Sequence, residues 1–322
     1  MKALVTGATG FVGSHLVEAL QRRGDEVTVL ARSLRKATSL GSMEVRVVLG
    51  DLHDTRALDE AVEGQDVIYH VAGVIAARSE AEFLRANHQG ARNLLAASEA
   101  AGRPRFVLVS SMAAGGPSTQ GAPLRGSEPA SPVTRYGRSK LAAEQVVRAS
   151  RLPWCIVRPP MVYGPRDREV LKVFRMARVG LAPVFGDGTQ ELSAVHAADL
   201  AHGLIAAGTS GAAVGQTYYA CHPEVFTSAQ FVRAVGRAMG RNVRVVRVPR
   251  SVGGILLTLT QASATLANKA TILTTDKANE FFQPAWTGDP TPLANDTGWR
   301  ATRSLDAGLA DTYEWYRGAG WL

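Results

Sequence analysis

The sequence predicts an α/β protein built on a doubly wound parallel sheet, with a smaller, mostly C-terminal lobe for substrate. Three observations lead to this prediction. A glycine-rich turn follows a short apolar run at the start of the 322-residue chain. Apolar, β-branched runs then alternate with helical patterns as far as residue 158, as expected for parallel strands joined by crossover helices. Beyond residue 160 the segments become irregular.

The glycine-rich turn occupies residues 7–13, between a predicted strand over residues 1–6 and a predicted helix from Ser14 to Leu20. Gly7 lets the chain turn tightly, Gly10 leaves room for a pyrophosphate against the backbone, and Gly13 lets the helix pack close to the sheet. Tight turns that bind nothing share the G-x-x-G-x-x-G spacing. Its place between a strand and a helix N-terminus, where backbone N–H groups attract anions, favours a dinucleotide site.

The second predicted strand, Glu26–Ala31, ends where the cofactor's ribose is recognised in this architecture. An acidic residue there bonds the 2′-hydroxyl, whereas an arginine accommodates a 2′-phosphate. The sequence has no Asp or Glu between Val27 and Gly41, and Arg32 is followed by basic residues at 35 and 36. NADP(H) is therefore the preferred prediction and NAD(H) the alternative, although a solvated basic turn would look the same.

Acidic and small residues follow the next two strands at the same edge. The third predicted strand, Val45–Leu49, leads to Asp51, whose carboxylate can accept a bond from adenine or else cap the helix predicted over Thr55–Val62. The fourth, Asp66–Tyr69, leads to the mostly small residues 70–73. These would let a dinucleotide cross the strand end.

Two further strands complete the alternation. The fifth, Arg105–Val109, follows a helix predicted over Glu80–Ala101, and the sixth, Trp154–Val157, follows a helix predicted over Thr134–Ser150. We expect a dinucleotide-binding domain over residues 1–160, with a returning segment near residues 190–215, and a mostly substrate-binding lobe over residues 161–322. The lobe is predicted to contain helices near Glu169–Val179, Ala197–Ala207, Thr227–Met239 and Leu305–Arg317 and strands near Gln216–Ala220 and Val243–Val248.

Composition limits the possible classes of function. The formal net charge of +8 suits an anionic ligand, but the basic residues are scattered and no nucleic-acid partner is expected. Cys155 and Cys221 lie in apolar runs and predict buried free thiols in a reducing compartment. We expect a cytoplasmic protein with no leader and no membrane-spanning segment. The apolar stretch Val252–Ala267 is too short and polar to span a bilayer and could line an apolar pocket or touch a membrane surface.

The residues that suggest chemistry are Tyr136 and Lys140, which share a face of a predicted helix at positions i and i+4. A phenol with a pKa near ~10 is a poor acid–base group at neutral pH. A neighbouring ammonium would lower that pKa and could also bond the nicotinamide ribose. Ser111, at the end of the fifth strand, could hold a substrate oxygen. Alone, the Tyr-x-x-x-Lys pair also fits a surface tyrosine beside a solvated lysine. With the glycine turn, Asp51 and Ser111, it predicts hydride transfer with Tyr136 moving the proton.

Several motifs together resemble the extended short-chain dehydrogenases/reductases, the group of nucleotide-sugar epimerases and dehydratases, hydroxysteroid dehydrogenases and dihydroflavonol reductases. The motifs are TGATGFVG (6–13), GDL (50–52), HVAG (70–73), NHQGARNLL (87–95), LVSS (108–111), P…YGRSK (132–140), RPPMVYGP (158–165), VFGDGTQELSAVHAADLA (184–201) and the terminal GW…DTYEWYR (298–317). The resemblance covers essentially the whole chain. It implies a Rossmann-type domain with NAD(P) as cofactor.

By this resemblance Ser111, Tyr136 and Lys140 form the catalytic triad, and Asn87 supports a water or backbone link behind the lysine. Pro159 and the backbone after it would meet the nicotinamide carboxamide. The resemblance also implies a homodimer built on helices 80–101 and 134–150. The cofactor cradle that it implies consists of Gly7, Thr9, Gly10, Phe11, Val12, Asp51, Leu52, Ala72 and Gly73.

Two departures from the family pattern bear on substrate. Nucleotide-sugar members usually carry an arginine that pairs with the diphosphate, and here that position is Leu192, next to Glu191. They also usually have Val-Tyr-Gly after the catalytic serine stretch, where this chain has residues 113–116, Ala-Ala-Gly-Gly. The stretch Val252–Ala267 and the pair Phe281-Phe282 resemble hydroxysteroid-dehydrogenase-like members, although they could simply be the core of the lobe.

The predicted function is an NADP(H)-dependent oxidoreductase that interconverts a secondary alcohol and a ketone on a fairly apolar small molecule. The alternatives are a nucleotide-sugar epimerase or dehydratase, and a non-catalytic cofactor-sensing protein of the same fold. His196 and Asp199 are expected to be structural because they lie at a helix start, and no metal site is assigned.

Overall fold

A central parallel sheet and its flanking helices position the predicted site. The structure, a computed structural model, describes residues 1–41, 43–268 and 270–322. The strands are β1 (Lys2–Thr6), β2 (Glu26–Ala31), β3 (Val45–Leu49), β4 (Val67–His70), β5 (Arg105–Val109), β6 (Trp154–Arg158), β7 (Met161–Tyr163), β8 (Leu181–Phe185), β9 (Glu191–Leu192), β10 (Ala194–His196), β11 (Thr217–Tyr219), β12 (Phe226–Thr227), β13 (Arg244–Val248) and β14 (Ala285–Trp286). The α-helices are α1 (Phe11–Arg22), α2 (Leu34–Ala37), α3 (Thr55–Val62), α4 (Glu80–Phe83), α5 (Gly90–Ala100), α6 (Met112–Gly115), α7 (Arg135–Ala149), α8 (Glu169–Arg178), α9 (Ala197–Thr209), α10 (Ser228–Ala238), α11 (Arg250–Leu266), α12 (Thr275–Phe281), α13 (Thr291–Thr297) and α14 (Leu305–Gly318).

The central sheet has seven strands in the order β11-β6-β5-β4-β1-β2-β3, and every neighbouring pair is parallel. The doubly wound parallel sheet that the sequence predicts is therefore confirmed. Its seventh strand is β11, which runs beside β6 with Tyr218 opposite Val157. The sequence predicts a strand near residues 216–220 but places it in the irregular, C-terminal part of the chain. A run of three residues carries no signal of which sheet it will join.

Helices cover both faces of the sheet because its strands are apolar on both sides. Val5 and Val29 point to the face covered by α1 and α9. Leu4 and Leu30 point to the opposite face, covered by α3, α5 and α7. Successive side chains of one strand thus pack into two separate hydrophobic cores.

The long helix predicted over residues 80–101 is a composite. Between α4 and α5 the chain forms a π-helix over Leu84–Gln89, and Asn87 lies in it, buried. Segments of π-helix occur often at functional sites because they re-aim side chains. Periodicity alone could not reveal this insertion.

The remaining elements form a smaller lobe around a third core, made mainly by α8, α10 and α14. In the described residues three small sheets support it: β13 is parallel to β8, β10 is parallel to β7, and β9 lies between β12 and β14. The predicted strand over 243–248 and the helices near 169–179, 227–239 and 305–317 are present here. The apolar stretch 252–267 lies in α11, of which only Gly253 and Leu257 are buried.

The carboxyl ends of the central strands meet at one edge. Thr6 of β1 lies opposite His70 of β4, and Val109 of β5 lies opposite Val157 of β6. The segments that follow these strands are therefore neighbours, and they contain the predicted cofactor and catalytic residues. This edge is where ligands bind in open parallel sheets.

Candidate active site

The glycine turn is shaped by close backbone contacts. Gly7 has φ of +74°, and a Cβ there would lie 2.6 Å from the backbone nitrogen of Ala72. A Cβ on Gly13 would lie 2.1 Å from the carbonyl oxygen of Gly7. Any larger residue at either position would push the turn apart. The sequence predicts that Gly13 lets the helix pack close to the sheet. In the structure, Gly13 instead packs against the glycine turn itself.

The turn leads directly into an anion-binding helix end. Helix α1 begins at Phe11 with Gly10 as its N-cap, and no side chain caps it. Its first N–H groups are thus left for a ligand. Thr9 precedes this cap and Val12 lies in the first turn, so these predicted cradle residues are contiguous. The arrangement fits a dinucleotide pyrophosphate.

The end of β2 presents a basic surface. Arg32 directly follows the strand and is exposed. Helix α2 then adds Arg35 and Lys36. In the described part of this turn the charged side chains are basic, which is the chemistry that suits a 2′-phosphate.

Asp51 lies just beyond β3, exposed at the same edge. Its Oδ1 accepts a hydrogen bond from the backbone N–H of His53 at 2.7 Å. Helix α3 is capped by another carboxylate, Asp54, which accepts from the Ala57 N–H at 3.1 Å. The alternative interpretation of Asp51 as the cap of this helix is therefore wrong. Leu52 is half-buried, and its carbonyl accepts a bond from Asn93 at 2.8 Å.

Tyr136 and Lys140 lie in the first turns of α7, whose N-cap Thr134 accepts from the Gly137 N–H at 3.1 Å. The ammonium of Lys140 donates to the carbonyl of Val109 at 2.8 Å. Ser111 lies close enough to Tyr136 to lower the pKa of its phenol. The structure thus brings together the three residues that the resemblance assigned to catalysis.

The protonation of these groups departs from the sequence-based expectation. Burial raises the pKa of Tyr136 to about 12, the nearby Ser111 hydroxyl opposes this rise, and the Glu280 carboxylate adds to it. Burial lowers the pKa of Lys140 to about 8, although Glu144 opposes this fall. The expected lowering of the tyrosine pKa by its lysine is therefore wrong for the protein alone, because desolvation is the larger effect. Tyr136 is therefore a neutral phenol at pH 7 and carries the proton that reduction of a ketone requires.

Asn87 connects the strand ends to the catalytic helix. Its Oδ1 accepts from the Val74 N–H at 2.8 Å, and its Nδ2 donates to the Val74 carbonyl at 3.1 Å and to Ser139 Oγ at 2.9 Å. A Cβ on Gly73 would lie 3.0 Å from Asn87 Oδ1 and 3.6 Å from Lys140 Nζ. Asn87 and Lys140 therefore both border Gly73.

Pro159 joins the site through its backbone. It is buried after β6, and its carbonyl accepts from the Met112 N–H at 2.9 Å. This bond fixes the start of α6, whose N-cap is Ser111. The position of Ser111 thus depends on the same segment that the resemblance places at the nicotinamide.

A buried ion pair behind the triad was missed by sequence analysis. Glu144 accepts from Arg158 Nε at 2.8 Å and Nη2 at 2.7 Å, and from Ser110 Oγ at 2.6 Å. The side chains of Glu144 and Arg158 are 0% and 2% exposed. Burial opposes ionisation of Glu144, but the Arg158 guanidinium holds its pKa below the ordinary value. Glu144 follows Lys140 by four residues, so helical spacing could have pointed to it.

Tyr136 opens onto a cavity of about 390 Å³. The cavity lies between the α4 region, the start of α7 and the segment 261–277. Ile75, Phe83 and Ile272 supply apolar wall, whereas Arg78 and Gln261 supply polar wall. A small molecule entering it would reach the phenol directly.

Leu192 and Glu191, the departures noted in the sequence, lie in β9. Leu192 packs against a cluster that includes Trp286 and Tyr219. The Glu191 carboxylate accepts from the Gly121 N–H at 2.8 Å. This position therefore offers an apolar contact and a carboxylate in place of a cation.

Other predicted structural residues behave as expected. His196 caps α9 by accepting from the Ala198 N–H at 3.3 Å. Asp199 accepts from the backbone N–H groups of Thr302 at 3.0 Å and Arg303 at 2.8 Å. Both cysteines are buried free thiols.

Comparison with known proteins gives a consistent result. The model of the NAD dependent epimerase/dehydratase family matches residues 3–221. A ceramide reductase from Caulobacter vibrioides is 37% identical over 99% of this chain and 95% of its own length. A 3 beta-hydroxysteroid dehydrogenase/Delta 5-->4-isomerase from Mycobacterium tuberculosis is 31% identical over 77% of this chain and 72% of its own length. The solved structure of a UDP-glucuronic acid 4-epimerase from Bacillus cereus superposes with a TM-score of 0.81 at 20% identity, covering 99% of this chain and 100% of that one, and supports the fold.

Proposed function

Because this chain belongs to the NAD-dependent epimerase/dehydratase family and is an NAD(P)-dependent oxidoreductase of the extended short-chain dehydrogenase/reductase type, we propose that it interconverts a secondary alcohol and a ketone. The substrate we propose is a fairly apolar small molecule. The observation that carries the proposal is the proximity of Ser111 to Tyr136, whose side chain lines the cavity, with Lys140 one turn farther along α7.

In this proposal the nicotinamide, when bound, supplies or accepts the hydride. Ser111 orients the substrate oxygen, and Tyr136 donates a proton to it during reduction. Tyr136 is protonated at neutral pH, as proton donation in this direction requires. Lys140 bonds the ribose and offsets negative charge that develops on the phenol oxygen.

The position of Leu192 in β9 supports an apolar substrate over a nucleotide sugar. A diphosphate needs cations, and Leu192 with Glu191 supplies none where the family's arginine would lie. Two relatives, 37% and 31% identical to this chain, are named for a ceramide and a hydroxysteroid. Both names describe lipid alcohols or ketones, which is the class we propose here.

NADP(H) is the cofactor we propose, on the strength of exposed Arg32 at the end of β2. Replacing Arg32 with Asp should remove a phosphate partner and add a 2′-hydroxyl partner. We expect the ratio of kcat/KM for NADPH over NADH to fall by about tenfold or more. An unchanged ratio would show that Arg32 does not recognise the 2′-phosphate.

We also propose the division of the chain outlined above, with residues 1–160 and a returning segment near 190–215 holding the dinucleotide. Packing of α9 beside α1 on the sheet supports that return. Residues 161–322 would then mostly hold substrate. A homodimer through the helices over residues 80–101 and 134–150 completes the proposal, and light scattering after size-exclusion chromatography tests it.

The deciding experiment combines Tyr136→Phe with a substrate screen. Turnover of apolar ketones with NADPH should fall by about 100- to 10,000-fold in the variant, while the cofactor's effect on melting temperature persists. Ser228→Ala, a change in α10, is the matched control for loss of a hydroxyl. Undiminished turnover in Tyr136→Phe would overturn the proposal. A melting shift with a nucleotide sugar and none with apolar ketones would favour an epimerase or dehydratase instead.

A further inference from the structure

Helix α11 carries its apolar side chains on the wrong face for a core helix. Val252, Leu256 and Leu259 recur at i, i+4 and i+7 and are 46%, 49% and 62% exposed. Ile255 is 62% exposed and Leu266 is 90% exposed on the same helix. We call these five side chains the apolar face. A row of five large apolar residues on one helix is unusual on a surface that meets only water.

The opposite side of the same helix faces the protein. Gly253 packs so closely on Phe282 that a Cβ would lie 2.9 Å from its ring, and Leu257 is 2% exposed. Farther along, Gln261 and Ala264 line the cavity that contains Tyr136. Helix α11 therefore separates the catalytic cavity from the surroundings by a single helix diameter, about 10 Å.

The charge pattern around α11 indicates the partner. From residue 225 to residue 275 the sequence contains no Asp or Glu, although it carries seven Lys or Arg. Arg244 and Arg247 of β13 precede the apolar face in the sequence and are exposed, whereas the Arg250 guanidinium lies over the Phe282 ring on the protein-facing side of α11. Asp187 lies near Arg247 and lowers the local positive charge there. Exposed apolar residues flanked by arginines are the features of a helix that lies in the interface of an anionic bilayer.

We propose that the apolar face docks on the surface of an anionic phospholipid bilayer. Across the described residues no helix is long and apolar enough to cross a membrane, so the contact is peripheral. The five side chains would enter the acyl boundary, and the arginines would meet lipid phosphates. The proposal extends the function proposed above by giving an apolar substrate a short path from the bilayer to Tyr136, yet its test requires no turnover.

The test is flotation of the full chain with vesicles of phosphatidylcholine alone or mixed with phosphatidylglycerol. We expect binding to the mixed vesicles, with weaker binding to the neutral ones and at high salt. The double variant Ile255→Gln/Leu259→Gln should lower the partition coefficient by about tenfold or more. Val214→Gln/Val225→Gln, at positions that are 44% and 43% exposed, is the matched control and should bind as the unmodified chain does.

Melting curves first establish that both double variants are folded, so that a loss of vesicle binding cannot be caused by unfolding. Absence of binding to anionic vesicles would overturn the proposal, as would equal loss in both double variants. If Ile255→Gln/Leu259→Gln instead converts a dimer into a monomer and vesicle binding is absent, the face is an interface between copies and the proposal is wrong. Turnover of a detergent-solubilised ketone separately reports on the proposed function.

Discussion

Tyr136 lies between two regions that are built very differently. On one side is the catalytic edge of the sheet, with Ser111 and Lys140. On the other is the arm, by which we mean helices α11 and α12. From the arm, Lys277 places its Nζ 5.9 Å from the Tyr136 ring centre and pairs with Glu280 at 2.5 Å.

The two regions differ in how firmly they are held. Behind the catalytic edge, strands with fully buried side chains such as Leu4 and Phe106 lock the backbone, and Glu144–Arg158 is sealed from water. The arm buries Gly253 and Leu257 in α11 and no side chain of α12 to the same degree. Few buried apolar contacts mean a low free energy for local opening. The chemistry is thus fixed by the core, whereas access to it depends on a weakly anchored segment.

The largest expected effect concerns the sealed ion pair. Glu144→Gln keeps the shape of the side chain but leaves the Arg158 charge buried without a counter-charge. We expect the free energy of unfolding to fall by about 3–5 kcal/mol, measured by urea denaturation. Because Arg148, the other partner of Glu144, is 33% exposed, Arg148→Gln should cost about 1 kcal/mol or less. Similar losses of unfolding free energy in the two variants would mean that the stability of the catalytic edge does not depend specifically on the buried Glu144–Arg158 pair.

A smaller effect distinguishes the two lysines that border Tyr136. The pKa of Lys140 is about 8 and that of Tyr136 about 12, so reduction should need both groups protonated. We expect kcat/KM for reduction to be level near pH 7 and to fall about tenfold per pH unit above the Lys140 pKa.

Two variants test which lysine causes the change of slope in this pH profile, which we call the break. Lys140→Arg has no group that loses its proton there, so its residual activity should show no break near pH 8. Lys277→Gln, in the arm, should keep the break. A break that survives in Lys140→Arg, or disappears in Lys277→Gln, would show that the arm sets the protonation of the site.

The smallest effect on global stability is expected within the arm. Leu4 and Leu257 are 0% and 2% exposed, so burial alone would predict equal costs. We expect Leu4→Ala to lower the free energy of global unfolding by about 2–5 kcal/mol. Leu257→Ala should change it by about 1 kcal/mol or less while it speeds amide hydrogen exchange in α11. Equal global losses would mean that the arm and the sheet unfold as one cooperative unit.

Much of the molecule follows from local patterns. The strands before the glycine turn and before Arg32, Asp51 and Ser111 can be predicted because each is a continuous apolar run. The spacing of Tyr136 and Lys140 predicts a shared helix face, since helix geometry fixes it. What escaped prediction required distant partners. Strand β11 was predicted as a strand, but its place in the central sheet depends on β6 beside it. The π-helix at Asn87 appears only where the chain packs around Val74 and Ser139.

By itself, the sequence determined the parallel sheet, the order of its strands along the chain and the residues that gather at its carboxyl edge. Periodicity and glycine placement are local properties, so they can be read without a structure. Only the tertiary structure decided the electrostatics of that edge. Burial raised the pKa of Tyr136 and lowered that of Lys140, and it sealed Glu144 against Arg158. Packing also decided the orientation of α11, which buries Gly253 against Phe282 and Leu257 in the protein and leaves its other large apolar residues exposed. Desolvation and packing depend on every neighbour in space, and these become known only when the chain is folded.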